Sequence, residues 1–522
     1  METRKFDPVA LSSQSTVVAQ YVPEGNDASG YQSEAQLEAE FIHQLQAQGY
    51  EYADIRDEQH LETNLRAQLS KLNDVEFTDA EWNRFYKTNI ANSSDTVEDK
   101  TTRIQEDHIQ LLEREDGTTK NIRLIDKDNI HNNHLQVINQ YAVDKADGAK
   151  HSNRYDVTIL VNGLPLAHIE LKRRGVPLRE AFNQINRYRD ESFSTGAALF
   201  DYAQIFVISN GTSTKYYSNT TRLAHVNETN KKDKKSFVFT SYWADAQNQP
   251  IEDLIAFAKT FFAKRTILNI LTKYCVYTEN RQLLVMRPYQ IVATERILTR
   301  ILTSTNAGTL GTTAAGGYIW HTTGSGKTLT SFKTAQLATK VEGVEKVLFV
   351  VDRKDLDYQT KLEYDRFQKG AANGNTSTAQ LKRQLESADP AKKIIVTTIQ
   401  KLATFIKANQ GHTVYNGHVV LIFDECHRSQ FGDMHVAIKR AFKKYNLFGF
   451  TGTPIFAENA GSGKHVNLKT TAQAFGENST PTRSWTPSPT KTCCPSASTT
   501  STLSKKVASK IRTCAPSTWK AP

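Results

Sequence analysis

Ile319–Leu329 reads IWHTTGSGKTL, and this stretch decides the fold of the chain around it. Its apolar start is typical of a buried strand, and its end can begin a helix. Its glycines can adopt positive φ and leave room for a polyphosphate against backbone N–H groups. We therefore predict a phosphate-binding loop in which Lys327 reaches the β- and γ-phosphates and Thr328 binds Mg²⁺. The other predicted nucleotide contacts in this loop are Thr323, Gly324, Ser325 and Gly326.

The loop alone matches the usual phosphate-binding pattern imperfectly, because His321 occupies the position of its first glycine. Two downstream stretches support the interpretation. Val419–Glu425 (VVLIFDE) predicts a parallel strand that delivers Asp424 to its C-terminal end, where nucleotides bind. There Asp424 would hold Mg²⁺, and Glu425 would orient or activate the attacking water. Gly449–Pro454 (GFTGTP) is a tight polar turn with Thr451, Gly452 and Thr453 at its centre. Together the three stretches predict a RecA-like ATPase lobe.

HTTGSGKT, DECH and GFTGTP resemble motifs I, II and III of superfamily-2 helicases. The resemblance implies that the lobe binds ATP and that Thr451–Thr453 couples hydrolysis to movement. It also implies that Gln290, in the upstream segment Arg287–Gln290, reads adenine. Val347–Asp352 (VLFVVD) and Ile394–Gln400 (IIVTTIQ) resemble strands that present DNA-contacting loops, and both are equally compatible with ordinary sheet core.

A second pattern lies upstream, in Arg154–Lys172 (RYDVTILVNGLPLAHIELK). Two β-branched runs flank an Asn-Gly pair, which predicts a β-hairpin. Asp156 lies on the first strand, and Glu170 and Lys172 share a face of the second. Two carboxylates can hold Mg²⁺ while an ammonium positions the attacking water or stabilises developing charge, as metal-assisted phosphodiester hydrolysis requires. By itself, the same pattern also occurs by chance on solvated strands.

The register of this hairpin tests the hypothesis. Thirteen residues separate Asp156 from Glu170, so a two-residue turn alone would pair Asp156 with Ile169 and place the carboxylates on opposite faces. A shared metal ion therefore requires a loop of odd length or a β-bulge, with Pro165 as a candidate to lie off the ladder.

The segment after the hairpin favours a nuclease. Arg179–Asp190 has helical character, with Gln184 and Tyr188 four residues apart on one face. Asp…ExK followed by QxxxY resembles the nuclease of type I restriction enzymes, within the PD-(D/E)xK group, although Tyr155 replaces the usual Pro. The resemblance implies that the two acids and the lysine are catalytic. It also implies that Gln184 and Tyr188 contact DNA or support the metal site, with helix packing as the alternative.

A nuclease followed directly by a superfamily-2 lobe resembles the R (restriction and motor) subunit of type I restriction–modification enzymes, from about Ser33 to Phe475. The expected fold class is α/β: a PD-(D/E)xK nuclease domain, one RecA-like helicase lobe and a disordered C-terminal tail. The resemblance implies ATP-dependent translocation and Mg²⁺-dependent cleavage of double-stranded DNA, with modification and specificity subunits as partners. The alternatives are a truncated remnant that binds nucleotide or DNA without motor activity and, more distantly, an ATP-dependent recombination nuclease.

Composition agrees with this interpretation. A length of 522 residues suggests about three domains. Five Cys without a framework, no apolar N-terminus and no long apolar span favour the cytoplasm over secretion or a membrane. The net charge is +10, but the first 477 residues hold 58 basic and 55 acidic residues. The charge therefore lies mostly in the tail and is weak evidence for DNA binding.

The tail from Asn478 is rich in Ser, Thr and Pro, holds three of the five Cys and has no acidic residue. It is typical of a disordered linker. We favour a frameshift, because plausible codons for Asn478–Ser488, read one base earlier, encode LHTYTIVDAI, which has an apolar rhythm and resembles R-subunit sequence. The chain would then lack the second lobe, whose arginine finger is worth about three to five orders of magnitude in turnover, and would bind nucleotide without translocation.

Ser33–Gln48 is predicted as an amphipathic helix that begins with a capping box of Ser33 and Gln36. Glu38 or Glu40 on this helix is a candidate extra carboxylate for the nuclease, with a solvated surface role preferred for both.

The chain is expected to have five parts: a loosely ordered N-terminus (1–32), the nuclease (33–250), a connecting helix (251–280), the ATP-binding lobe (281–477) and the aberrant tail (478–522).

Overall fold

The computed structural model describes residues 9–10, 15–22, 32–143, 153–191, 193, 198–221, 239–322, 324–352, 354–370, 372–375, 377–429, 433–456 and 470–480. Within them the fold is mixed α/β, built on two six-stranded sheets. None of the helices in these ranges is long and apolar enough to cross a membrane.

The strands, in chain order, are β1 (Val9–Ala10), β2 (Val18–Gln20), β3 (Glu51–Tyr52), β4 (Ile109–Glu113), β5 (Thr119–Arg123), β6 (Leu135–Val143), β7 (Asn153–Val161), β8 (Leu164–Leu171), β9 (Ile205–Ser209), β10 (Thr214–Ser218), β11 (Trp243–Ala244), β12 (Pro250–Ile251), β13 (Cys275–Tyr277), β14 (Leu283–Val285), β15 (Gly317–Trp320), β16 (Val344–Val351), β17 (Asn373–Gly374), β18 (Ile394–Thr398), β19 (His418–Phe423) and β20 (Lys444–Thr451).

The helices are α1 (Glu34–Ala47), α2 (Glu58–Asn73), α3 (Asp79–Phe85), α4 (Val97–Gln105), α5 (Leu178–Glu191), α6 (Leu254–Phe261), α7 (Lys264–Asn269), α8 (Pro288–Asn306), α9 (Lys327–Ala338), α10 (Lys354–Phe367), α11 (Thr378–Glu386), α12 (Ile399–Ala408), α13 (Cys426–Ser429), α14 (Asp433–Ala441) and α15 (Thr471–Phe475). Two π-helical turns occur at Tyr86–Ile90 and Ile270–Tyr274.

The first sheet has the order β10-β9-β8-β7-β6-β3. Its centre is the β7–β8 hairpin, and every residue of β8 is buried, as expected of a strand covered on both faces. Helices α1 and α5 both contact β8. The predicted capping box of α1 is confirmed, since Ser33 accepts a hydrogen bond from the Gln36 N–H and the Gln36 side chain accepts one from the Ser33 N–H.

Of the two features that a shared metal ion would require, a loop of odd length or a β-bulge, the hairpin contains the β-bulge. The turn has two residues, Asn162 and Gly163, with φ of 52° and 85°, as in a type I′ turn. Next to the turn Leu160 lies opposite Pro165, but Ile159 lies opposite Ala167, so one extra residue enters β8. That residue is Leu166 rather than Pro165, and its carbonyl accepts a hydrogen bond from Gln204 of the neighbouring segment. The bulge moves the register by one, so Val157 pairs with Ile169, and Asp156 and Glu170 share a face.

The second sheet is entirely parallel, with the order β15-β20-β19-β16-β18-β17. Both stretches predicted as strands, around Val347–Asp352 and Ile394–Gln400, form buried, adjacent strands of this sheet (β16 and β18). Because all six strands run in one direction, β15, β19 and β20 end at the same edge.

A further segment lies along β15. Tyr318 donates its N–H to the Glu477 carbonyl at 3.1 Å, and Ser479 donates to the Tyr318 carbonyl at 2.8 Å. The first residues of the predicted aberrant tail therefore extend the second sheet, and residues 481–522 lie outside the described residues.

Two parts of the predicted organisation differ from the structure. Residues 15–22 of the N-terminus are packed rather than loose, since Val17 is buried and the Thr16 N–H donates to both carboxylate oxygens of Glu295 at 3.1 Å. The expected connecting helix is divided into α6, α7, a π-helical turn and β13. The division falls at Ala263, where ψ is 128° and helical hydrogen bonding cannot continue.

Candidate functional site

The two hairpin acids face each other across β7 and β8. Glu170 is fully buried, and Asp156 is half-buried and accepts a hydrogen bond from the Leu171 N–H at 2.9 Å. Burial raises the pKa of both carboxyl groups, and the Glu170 charge raises that of Asp156 further. Such a pair resists full ionisation until a cation lies between the oxygens.

Lys172 completes the predicted trio. Its Nζ lies 3.2 Å from Glu170 Oε1 and 3.8 Å from Glu34 Oε2 of α1. The ammonium is thus held next to the acid pair, where it can contact a water or a phosphate oxygen. The register of one hairpin brings all three predicted groups together.

A cation fits this site. The Oε2 atom of Glu170 is buried and has no hydrogen-bond partner within the described ranges, which is costly unless a cation or a bound donor satisfies it. Carboxylate oxygens are the ligands that Mg²⁺ prefers. Among the residues that the structure describes, no set of three His, Cys, Asp or Glu side chains is grouped to hold a metal, so the protein offers an acid pair.

The predicted pair on α5 supports this strand. Tyr188 is fully buried and donates its hydroxyl to the Arg154 carbonyl at 2.6 Å, two residues before Asp156. Gln184 donates to the Tyr188 hydroxyl. Tyr155 packs 4.7 Å from the Tyr188 ring and is buried among aromatic side chains. Because Tyr188 is buried, its position favours support of the site over contact with DNA.

Glu38 of α1 is the carboxylate whose role the sequence analysis missed. A solvated role was preferred for it, but Glu38 is buried and accepts hydrogen bonds from Asn139 and Gln140. Burial raises its pKa, and the charge of Asp156 raises it further. The helical period carried a signal, because Glu38 lies three, four and seven residues from the buried positions 41, 42 and 45. Glu40 is exposed, as expected.

The predicted phosphate-binding loop lies between β15 and α9. Gly324 and Gly326 have φ of 80° and 76°, so both adopt the left-handed conformation that glycine favours. Lys327 and Thr328 are the first residues of α9, and Lys327 forms an ion pair with Glu425. Thr323 lies outside the described residues.

Asp424 and Glu425 follow β19 at the edge where the loop lies. Burial raises the pKa of Asp424 to about 6, against the opposing charge of Lys327. Glu425 has a φ of 42°, which is uncommon for a residue other than glycine and turns its side chain towards Lys327. The geometry thus brings the predicted magnesium and water-orienting acids to the predicted lysine.

Gln290 contacts the loop itself. Its Oε1 accepts a hydrogen bond from the Arg287 N–H at 2.9 Å, and its Nε2 donates to the Ser325 carbonyl at 3.1 Å. The Tyr289 hydroxyl donates to the same carbonyl at 2.7 Å. Both polar atoms of the Gln290 amide are therefore engaged within the protein.

The turn after β20 connects to the acidic pair through a histidine. Thr451 Oγ1 lies 2.9 Å from His427 Nδ1, which lies 3.4 Å from Glu425 Oε2. The Thr453 N–H donates to Thr451 Oγ1 at 3.0 Å, and the Gly452 carbonyl accepts a hydrogen bond from the indole of Trp320 at 3.2 Å. A displacement of Glu425 can therefore be transmitted to the turn.

Comparison with known families agrees with this geometry. Residues 31–225 match the family model of the type I restriction enzyme R protein N terminus, and residues 289–480 match that of the SWI2/SNF2 ATPase.

Two relatives show the extent of the similarity. The chain is 42% identical over 455 residues to the type I restriction enzyme SauMSSORF170P endonuclease subunit of Staphylococcus aureus (strain MSSA476), covering 85% of this chain and 45% of the relative. It is 48% identical over 298 residues to the type I restriction enzyme EcoprrI endonuclease subunit of Escherichia coli, covering 57% of this chain and 91% of that protein. The chain thus spans about half the length of the staphylococcal relative. This chain belongs to the family of type I restriction enzyme endonuclease (R) subunits.

Proposed function

We propose that the chain carries the DNA-cleaving and ATP-binding parts of a type I restriction–modification complex. The complex would translocate double-stranded DNA with ATP and cleave it with Mg²⁺, and the modification and specificity subunits would be its partners. The observation that carries the proposal is the bulged register that puts Asp156 and Glu170 together beside Lys172. The corresponding parts would be a PD-(D/E)xK nuclease over residues 33–250 and a RecA-like lobe over residues 281–477.

In the cleavage site, Asp156 and Glu170 would hold Mg²⁺, which supplies positive charge to a bound water and to the scissile phosphate. Lys172 would orient the attacking water or stabilise the charge that develops on the phosphate oxygens. Tyr188 would fix the backbone next to Asp156 through the Arg154 carbonyl.

In the nucleotide site, Lys327 would exchange its ion pair with Glu425 for the β- and γ-phosphates. Thr328 and Asp424 would hold the accompanying Mg²⁺, and the loop from 323 to 326 would surround the phosphates. Glu425, once released, would orient the attacking water. His427 would transmit this change to Thr451 and so to the turn that includes Gly452 and Thr453. For Gln290 to read adenine, its amide must leave Ser325.

The experiment separates the two sites in the purified 522-residue chain. Binding of Mn²⁺ without nucleotide and binding of ATP are both measured by titration calorimetry in wild type, D156N and K327A. We expect D156N to weaken Mn²⁺ binding at least about 10-fold and to leave ATP binding unchanged. We expect K327A to weaken ATP binding about 100-fold and to leave Mn²⁺ binding unchanged. A wild-type chain that binds no Mn²⁺, or variants that weaken both ligands alike, would contradict the proposal.

A further inference from the structure

One buried polar side chain beside the acid pair has no part in the chemistry above. His168 precedes Glu170 by two residues on β8, so both side chains lie on the same face. His168 is fully buried, and its Nδ1 lies 3.1 Å from Thr158 Oγ1. In the part of the chain that the structure describes, its Nε2 has no hydrogen-bond partner and lies 3.6 Å from Glu170 Oε2, which has none either.

The His168–Thr158 contact fits either tautomer of the ring. When the Thr158 hydroxyl donates to Nδ1, Nε2 carries the ring hydrogen, 3.6 Å from Glu170 Oε2. Lys172 Nζ lies against the other oxygen, Oε1, at 3.2 Å. In this tautomer Glu170 is approached by a different donor at each carboxylate oxygen.

Aromatic rings hold the imidazole in this orientation. The Tyr155 and Phe193 rings lie 5.6 Å from the imidazole centroid, both edge-to-face. An unsatisfied buried ring nitrogen is unfavourable, and the group that Nε2 faces is the Glu170 carboxylate.

We propose that His168 is a positioning residue that orients the Glu170 carboxylate for the divalent cation of the cleavage site. The inference rests on the proposed function, because it needs the cation between Asp156 and Glu170. Groups that orient a metal ligand in this way commonly change metal affinity 10- to 100-fold when they are lost.

The test measures Mn²⁺ affinity of the full chain without ATP or DNA, by calorimetry and by electron paramagnetic resonance. H168L replaces the imidazole, and with it the N–H donor, by an apolar side chain. We expect about 10-fold or greater loss of Mn²⁺ affinity in this variant. H168Q places an amide N–H near the position of Nε2, and we expect Mn²⁺ affinity within about 3-fold of wild type. T158V leaves the ring but removes the hydroxyl that contacts Nδ1, and an intermediate loss of about 3- to 10-fold is expected.

The outcomes separate this inference from the proposed function. If wild type binds no Mn²⁺, or D156N does not weaken that binding, the cleavage site itself fails. If D156N abolishes binding while H168L and T158V both keep wild-type affinity, the role of His168 alone is overturned. ATP binding by each variant verifies that the chain is folded. Should H168L not fold, T158V and H168Q decide: T158V at wild-type affinity, or H168Q at a loss of 10-fold or more, contradicts the inference.

Discussion

The two candidate sites hold their charged groups in different ways. In the hairpin site, Asp156, Glu170 and Lys172 lie on two paired strands, and the β-bulge fixes which of them face each other. In the nucleotide site, Lys327 and Glu425 come from a helix start and from the turn after a strand, and they neutralise each other. The two acids of the first site already lie together, whereas Lys327 of the second would have to exchange its ion pair with Glu425 for a phosphate.

The two sites also differ in how much their polar groups destabilise the fold. Among the described residues Glu170 Oε2 has no hydrogen-bond partner, so an ionised acid pair is unfavourable without a cation. In the nucleotide site, the Ser325 carbonyl of the loop accepts hydrogen bonds from Gln290 and Tyr289. A bound cation should therefore stabilise the first site mainly by neutralising the charge of the acid pair. A bound nucleotide should stabilise the second site mainly by replacing contacts within the protein.

The largest expected effect tests whether the hairpin register depends on its turn. Gly163 has a φ of +85°, and a Cβ there would lie 2.6 Å from the Leu65 Cα, which cannot move independently of α2. We expect G163A to lower the free energy of unfolding by about 2–4 kcal/mol, from left-handed strain plus a backbone clash. Urea denaturation followed by circular dichroism measures the loss.

Gly117, in the turn between β4 and β5, is the matched control. It has a φ of +80°, but a Cβ there meets nothing within 4 Å. G117A should lower the free energy of unfolding by only about 1 kcal/mol, the conformational part alone. Equal losses for G117A and G163A would show that packing of the turn against α2 does not fix the register.

A smaller effect tests whether the acid pair opposes folding without metal. The pKa of Asp156 is raised in the folded state by burial, so its stabilising contribution is present below its unfolded pKa and is lost as pH rises through its folded pKa. In EDTA we expect D156N to be more stable than wild type by about 1–3 kcal/mol near pH 8, with a smaller difference near pH 5. Thermal unfolding at both pH values measures the difference.

The exposed residue Asp128 provides the control, because D128N removes the same charge from the surface. D128N should change stability by less than about 0.5 kcal/mol at either pH. Saturating Mn²⁺ should reverse the order of wild type and D156N, since only wild type keeps both metal-binding acids. A D156N protein that is less stable than wild type near pH 8 in EDTA would show that the acid pair does not oppose folding.

Much of the hairpin site could be predicted from sequence because its determinants are local. For the two acids to share a metal ion, the Asn-Gly turn and the number of residues between Asp156 and Glu170 required either a loop of odd length or a bulge, and the structure contains a bulge. The identity of the extra residue could not be predicted from these rules. Leu166 takes that place because its carbonyl pairs with Gln204, about forty residues downstream.

Contacts between distant segments were beyond these rules. The Thr16 N–H binds the Glu295 carboxylate across 279 positions of sequence, and no local pattern indicates that pairing. Gln290 was predicted to read adenine, and its contact with Ser325 instead depends on how α8 packs against α9. Local patterns predict which elements form, and tertiary packing decides which side-chain atoms remain free for ligands.

The smallest expected effect tests whether the nucleotide site is restrained by its own ion pair. E425Q removes the carboxylate charge that holds Lys327, so the ammonium becomes available to phosphate without first losing a partner. We expect ATP to bind about 3- to 10-fold more tightly to E425Q than to wild type, which corresponds to about 1 kcal/mol. Titration calorimetry with ATP in Mg²⁺ measures this change.

Glu425 could also weaken ATP binding by direct repulsion of the phosphates, which E425Q would equally relieve. A double-mutant cycle separates the two causes, since repulsion persists without the lysine and release of Lys327 does not. In the K327A background, E425Q should therefore leave ATP affinity unchanged within about 2-fold. If E425Q tightens ATP binding equally in both backgrounds, the ion pair is no restraint, and the nucleotide site is as preformed as the hairpin site.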